Sequence, residues 1–541
     1  MPVLYNDSLD DRLVFDACLT FVGGQVSNVR ANLLDQAQYS EGENVDIDRF
    51  GGIVTRHGTK REYNALLDTL WENATDNWDD YSVYWEHNGL GRLNGLGYFD
   101  TPSTELLIAA SNQKIYKHDS TGIWSELSGY TPASSADVEM AQLTDKLFLT
   151  DGTGNVRSFD GSTFTDEGTG SGNPPVCKYL VSHTNRLFAA GVSSVPDALY
   201  ASDLLDGQTW DNTNFQIRVG GDSGDPIMGL SPWLGRSLVV FKERSIYNVI
   251  TDPQATTASS WVVENIDTRI GCVSHRSIAQ VGQDIFFLAP DGIRTVRSIL
   301  EGAAHAVSEP ISVGIQDVIN KINWTATKEK ACATFWRNHY ILAVATGSST
   351  TLNKVIVYNT ITKSFVGTWD WNPSAFCISA FGGEMRLNFG TENGKVLVYQ
   401  DYIQEDEEVA DTYLDDGADI ASSIKTRAMT FGQQFNELLP NHTELEMKPA
   451  TAEQVDIRAI LDDDSDSVVN QTPINTFGGA LKLPFFLPAV LGRTVPIKNS
   501  YNLINKGPCR EVQFKVQTTA GKMHLRGVRT SAYVNTIQQE T

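Results

Sequence analysis

Between about Leu96 and Tyr402 one short β pattern recurs, with no long helical pattern to interrupt it. One unit reads Glu105-Leu106-Leu107-Ile108-Ala109-Ala110, then Lys114-Ile115-Tyr116-Lys117-His118-Asp119, then Gly122-Ile123-Trp124. The order is strand, turn, strand, turn, aromatic. The next unit repeats it with Lys146 to Gly152, Asn155 to Gly161 and Phe164. Later copies are Arg186 to Ala190 with Leu199 to Asp203 and Trp210, then Leu238 to Lys242 with Ser245 to Ile250 and Trp261. Ile285 to Pro290 with Asp291-Gly292-Ile293 follows, and two more units run from Tyr340 to Trp369 and from Phe389 to Tyr402.

A period of roughly 35 to 50 residues is that of a four-stranded blade, a unit unable to bury its two apolar faces alone. Stacking such units radially buries them, so the array predicts an all-β fold, a β-propeller of about seven blades. Alternation and β-branched residues define the strands, as in Val355-Ile356-Val357-Tyr358. Asp151-Gly152, Asp160-Gly161, Asp291-Gly292 and Asn393-Gly394 mark turns, because Gly accepts positive φ and Asp or Asn bonds its own backbone. Evenly spaced short strands also fit one or two β-sandwiches, which stands as the alternative fold.

The repeats divide the 541 residues into four stretches. Residues 1–97 hold a hairpin, with Val45 and Ile47 leading through Arg49-Phe50-Gly51-Gly52 to Ile53-Val54-Thr55, and apolar residues at helical spacing from Tyr63 to Trp71. Residues 98–403 form the propeller. Residues 404–419 include eight acids from Glu405 to Asp419 and no base, which predicts an acidic linker or solvated loop. Residues 420–541 return to strands with another rhythm (Val455, Ile457, Ala459, Leu461; Val512, Phe514, Val516; Leu525, Val528, Tyr533), the pattern of a small antiparallel sandwich. Pro473, Pro484 and Pro488 belong in its loops or edges. The two terminal β segments are expected to pack together as a platform.

Composition narrows the function. A hydrophobic share of 41% supports substantial cores, so the chain is not disordered. The net charge of −24 argues against gripping nucleic acid by phosphate neutralisation, which needs clustered Lys and Arg. No long apolar run predicts a membrane span, and the polar, acidic Met1 to Asp11 predicts synthesis without standard secretory export. Six cysteines (Cys18, Cys177, Cys272, Cys332, Cys377, Cys509) lie too far apart for a zinc site and read as buried free thiols.

Patterns that carry chemistry fail on inspection. Asp462, Asp464 and Asp466 match the start of a calcium loop, but Ser467 stands at the Gly position and Pro473 at the bidentate Glu position. Ser202 to Trp210 approaches a sialidase turn motif, with Asp206 one residue too close to Gly207. Gly168 to Gly172 lacks the following helix and Lys of a phosphate loop and reads as a connector. No His pair has metal spacing; His183 and His339 beside strand residues read as packed or exposed side chains. Trp124, Trp210, Trp261 and Trp369 fall at blade spacing, as core or blade-interface residues do. No catalytic, cofactor or metal residue is predicted.

Phe21 to Gly24, Asn44 to Asp48, Gly51-Gly52-Ile53 and Arg56-His57-Gly58 resemble the opening of propeller-bearing tail proteins of short-tailed bacteriophages. Asp225 to Leu230, Leu238 to Lys242, Ser245-Ile246-Tyr247, Arg269 to Cys272, Ser274 to Ser277 and Phe287 to Ile293 are similar to central blades of the same tail nozzle, or tail hub, family. The resemblance implies a virion protein of the tail, assembled in the host cytoplasm as a homo-oligomeric ring, a hexamer, below the portal and head-to-tail adaptor. Double-stranded DNA would pass through the ring without sequence-specific binding. A lumen of carboxylates repels phosphates, which gives Glu405, Asp406, Glu407 and Glu408 a role as channel-lining acids. Two other readings remain: a propeller module of a tail fibre or hub binding glycan or an adaptor partner, and an acidic glycoside hydrolase or lyase.

Overall fold

The computed structural model describes residues 13–61 and 91–535, apart from 120–123, 171, 222–223, 304–308, 404–407, 433–436, 449, 453, 463, 471–473, 476–496 and 503–507. The helical stretch at Tyr63 to Trp71 and the three sandwich prolines lie outside the described residues. Seven antiparallel sheets carry the repeats. The first four begin at Leu93–Thr101, Glu139–Leu143, Tyr179–His183 and Ile227–Pro232 and have four consecutive strands each, with a fifth, Gln216–Arg218, added to the third. The fifth has three, Ala279–Val281, Asp284–Ala289 and Gly292–Thr295. The sixth begins at Cys332–Trp336 and the seventh at Pro373–Ser379. Each of these innermost strands packs beside the next, and Pro373–Ser379 returns to Leu93–Thr101, so the ring closes as a seven-bladed propeller.

Alternation explains why single sheets fail and the ring succeeds. In Ser237–Lys242 of the fourth blade, Leu238 and Val240 enter the apolar cluster shared with the third blade. Val239 and Phe241 enter the cluster shared with the fifth. Likewise Leu147 and Leu149 face the first blade while Phe148 faces the third. Both faces of these strands are dry, which is why they read as continuous apolar runs. Trp124, Trp210, Trp261 and Trp369 are buried at these joints. The Asp-Gly turns also form as read: Asp160 Oδ1 accepts from the Ser162 and Thr163 amides (2.8 and 2.7 Å), and Asp151 Oδ1 from those of Thr153 and Gly154.

Two blades depart from four consecutive strands. The outer edge of the fifth is covered by the helical insertion that follows it. There Ser312 Oγ accepts from the Ile293 amide (3.0 Å), and Ile315 and Ile319 join its core. The seventh takes its fourth strand from the N-terminal segment, Thr59–Lys60 pairing with Val396–Tyr399. Leu93, within the predicted N-terminal segment, already opens the first blade.

The chain ends interleave in one two-sheet sandwich. In one sheet His524–Asn535 pairs with Leu13–Cys18, Ile53–Thr55 and Glu437–Met447. In the other, Gln38–Glu43, Ser422–Thr426, Val512–Thr518 and Gln454–Leu461 follow in order. Glu43 opposite Thr368 joins this second sheet to the outer strand of the sixth blade. Leu445, Val455, Phe514, Leu525 and the blade residues Trp369, Trp371 and Phe389 share a single core.

Residues 408–419 correct the linker reading. They do not dangle: Leu414–Asp415 and Ala418–Asp419 extend the seventh blade beyond Thr59–Lys60. The physical reason is charge pairing with distant bases. Asp415 accepts from the Arg56 guanidinium (Nη1 to Oδ1, 2.9 Å), and Asp416 pairs with Arg61 (2.9 Å) and Lys395 (2.6 Å). Arg56 itself is 1% exposed. It donates to Asn44 Oδ1 (3.1 Å) and lies 5.1 Å from the Trp371 ring. Removing one partner of a buried pair leaves an uncompensated charge. Arg56→Ala is therefore expected to lower unfolding free energy by about 3–5 kcal/mol, read from urea-induced unfolding of the two proteins.

Candidate functional site

A propeller offers two places for function, the mouth of its axial channel and the surfaces added to its rim. At the end where the innermost strands begin, a cavity of about 370 Å³ is lined by Arg92, Asp137, Glu139, Lys178, His275 and Arg276 among others. Arg276 precedes the fifth blade and reaches across to the second. Its Nε donates to Glu139 Oε1 (2.6 Å) and its Nη2 to the Val138 carbonyl (2.8 Å). Arg92 of the first blade pairs with Asp137 (2.6 Å) and lies 3.3 Å from Glu392 of the seventh. The network therefore ties together four of the seven blades across the axis.

His275 sits within it, its ring 4.9 Å from that of Tyr179 and its Nε2 3.9 Å from Glu139. Burial pushes the His275 pKa down, with Glu139 pulling the other way. Asp137 and Glu139 thus face guanidinium groups that bridge neighbouring and opposite blades. Among the described residues no group of His, Cys, Asp and Glu is placed to hold a metal ion.

Of the predicted channel acids, Glu405, Asp406 and Glu407 lie outside the described residues. Glu408 is described, and its side chain is 9% exposed. Burial raises its pKa, but the bonds from His57 (3.0 Å) and Lys522 (2.6 Å) outweigh that and hold it near about 2. Its carboxylate joins the N-terminal segment to the C-terminal strands and is not presented to solvent.

The other sequence candidates also resolve into structure. Asp462 accepts from the Arg510 and Glu511 amides (2.6 and 3.1 Å). Asp206 accepts from the Gln208 amide (2.9 Å) and closes a hairpin, while Trp210 donates to the Gly207 carbonyl (2.8 Å). His339, read as packed or exposed, is packed and pairs with Asp46 at 3.1 Å. Nothing local could have revealed that contact, which spans about 290 residues. Of the segments that carry the resemblance, those from Leu238 to Ile293 build the joint between the fourth and fifth blades. The Cys272 amide donates to the Lys242 carbonyl (3.0 Å), and a Cβ on Gly271 would meet the Glu243 carbonyl oxygen at 2.2 Å.

The second place is the outer sandwich face. A groove of about 640 Å³ lies among Phe15, Leu19, Gln36, His442, Glu444 and Arg529. A neighbouring cavity shares Leu19 and Arg529 and adds Phe50, Glu446 and Arg526. Phe15, Leu19 and Phe50 are 71%, 58% and 73% exposed, an unusual cost for large apolar groups clustered in one segment.

No protein-family model matches the chain, and no curated protein matches it in sequence. Over 57% of its length it is similar to solved structures. One is BamB from Moraxella catarrhalis (12% identity, 82% of that chain, TM-score 0.32). Others are a streptogramin B lyase (10%, 93%, 0.36) and YCF48 bound to D1 peptide (9%, 92%, 0.35). The fold class defined by the strand order is an all-β, seven-bladed propeller carrying a β-sandwich. Among the described residues no helix is long and apolar enough to cross a membrane.

The bridging network yields a measurable expectation. Arg276→Ala leaves the part-buried Glu139 without its guanidinium partner, while Asp137 keeps Arg92. Thermal unfolding should register a loss of about 3–5 kcal/mol, and Arg276→Lys, which cannot bond Glu139 and Val138 together, should recover only part of it.

Proposed function

We propose that this chain is a structural virion protein, the tail nozzle or hub of a short-tailed bacteriophage. Copies would form a ring, six in number, below the portal and head-to-tail adaptor, and conduct double-stranded DNA without catalysis and without reading its sequence. Localisation follows from that role: assembly in the host cytoplasm and residence in the virion tail. The residue resemblance described above motivates the reading. The observation that carries it is the sandwich face, where exposed Phe15, Leu19 and Phe50 flank a groove rimmed by Glu444, Glu446, Arg526 and Arg529. Such a face suits contact between protein surfaces, with an apolar centre and a charged rim.

The bridged mouth suits a particular geometry. With Arg276 and Arg92 bridging the blades, DNA would run through the lumen between subunits and not through a propeller. The charge of −24 suits that lumen, since carboxylates near phosphates lower adhesion over about a Debye length, ~8–10 Å.

The test is the native mass of the purified protein, alone and with adaptor, together with electron microscopy. A six-fold ring with an open, acid-lined lumen is expected. Replacing Phe15, Leu19 and Phe50 together by Asp should leave the circular dichroism spectrum unchanged and abolish the ring. A monomer that ignores the adaptor but binds an arrayed glycan would replace this reading with that of a propeller binding module.

A further inference from the structure

One short segment gathers three imidazole–carboxylate contacts. Asp46 Oδ1 meets His339 Nε2 of the sixth blade at 3.1 Å. Asp48 Oδ2 meets His524 Nε2 of the C-terminal strand at 2.8 Å. His57 Nε2 meets Glu408 Oε1, beside the edge of the seventh blade, at 3.0 Å. Just beyond His57 the same segment supplies Thr59–Lys60, which completes the seventh blade. So the strand that closes the propeller ring is held, within a few residues, by contacts whose strength depends on an imidazole proton.

We propose that residues 44–60 form a clasp, in which imidazole–carboxylate contacts hold the segment to the sixth blade, the seventh blade's edge and the C-terminal strand, and in which loss of the proton shared between His339 and Asp46 loosens the closing strand. The surroundings of each imidazole are charged. His339 faces Asp46, Asp401 and the Asn359 side chain, with Arg337 beside it on its own hairpin. His57 faces Glu408, to which Lys522 also donates, and stacks on Tyr413 at 5.5 Å with Tyr399 at 6.3 Å; Arg56 adjoins it. His524 faces Asp48, whose other oxygen accepts from the Phe50 and Gly52 amides. When an imidazole becomes neutral, the bond loses charge assistance and a half-buried carboxylate loses its counter-charge.

The direction of the pH effect follows. Burial lowers the His339 pKa, but Asp46 more than reverses this, so its value in the fold lies above the ordinary 6.5. A raised histidine contributes fully below 6.5, and the contribution disappears as pH climbs through the folded value. The carboxylates act oppositely. Burial pushes Asp46 and Asp48 up, but their partners hold both below 3.8 and Glu408 near about 2, so their contribution is complete above about 4.5 and is lost only in strong acid. The clasp is tightest between about pH 4.5 and 6.5 and slackens above neutrality.

Hydrogen–deuterium exchange of the full-length protein between pH 6 and 8.5 tests this. The readout is the exchange of amides 44–60 relative to amides of the strand Thr104–Ser111 at each pH, so that intrinsic pH effects cancel. In the native protein the ratio should rise about tenfold across the range, and in His339→Gln it should start high and stay flat. Asp46→Asn, which removes the carboxylate facing His339, should flatten the slope in the same way if His339→Gln does not fold. His183 and His275, whose pKa values burial pushes down, are present in the native protein and in both variants alike, so they contribute equally to every comparison. A flat native ratio, or variants with the native slope, overturns the proposal.

Discussion

A single buried guanidinium organises the join between the two halves of this molecule. Arg56 lies between the N-terminal segment and the blades, touching Asn44, Asp415 and the aromatic faces of Trp369 and Trp371. A charge so deep is tolerable only because every direction is answered: carboxylate, amide oxygen and ring π-cloud. Remove any of those and the desolvation cost stands alone. Because the three partners come from the N-terminal segment, the sixth-to-seventh blade connection and the acidic strand after the propeller, their convergence fixes all three in one arrangement. The sandwich and the last two blades consequently share one core, and a separate hinge between them has nowhere to sit.

The same logic explains what the sequence disclosed. Blades are local objects. Thr104–Ser111 and Lys114–His118 pair across two residues, so strand periodicity and turn chemistry in one short stretch are sufficient to show them. The sandwich is the opposite case. Leu13–Cys18 pairs with His524–Asn535 across roughly 500 residues, and neither strand announces its partner. The acidic stretch misled for a related reason. Charge runs read as solvated when counted along the chain, yet Asp415, Asp416 and Glu408 are answered by Arg56, Arg61, Lys395 and Lys522 from far away. Of the residues singled out for a site, Glu408 was visible only as one acid among several, while Arg276 lay in a stretch noted for its resemblance, with nothing in the sequence to show that it bonds Glu139 some 137 residues away.

Blade edges show how the fold manages unpaired strands. An open edge invites pairing with another chain. The fifth blade is shielded by an insertion, the sixth runs into the sandwich, and the seventh is finished by a borrowed strand. The first and second end in strands of three residues, Ser125–Leu127 and Phe164–Asp166, too short to serve as a template. The N-terminal segment thus does for the last two blades what brevity does for the first two.

That borrowed strand has a consequence for synthesis. Thr59–Lys60 leaves the ribosome about 340 residues before Val396–Tyr399, the strand it pairs with. At ordinary elongation rates of about 5–20 residues per second, the wait is on the order of half a minute. Throughout that interval the first blades can assemble from their own hairpins while the closing strand has no dock, and the sandwich must wait longer still for His524–Asn535. The ring is therefore a late event in the life of the polypeptide. Thr59–Lys60, made well before its partner strand, is among the last elements to find its place.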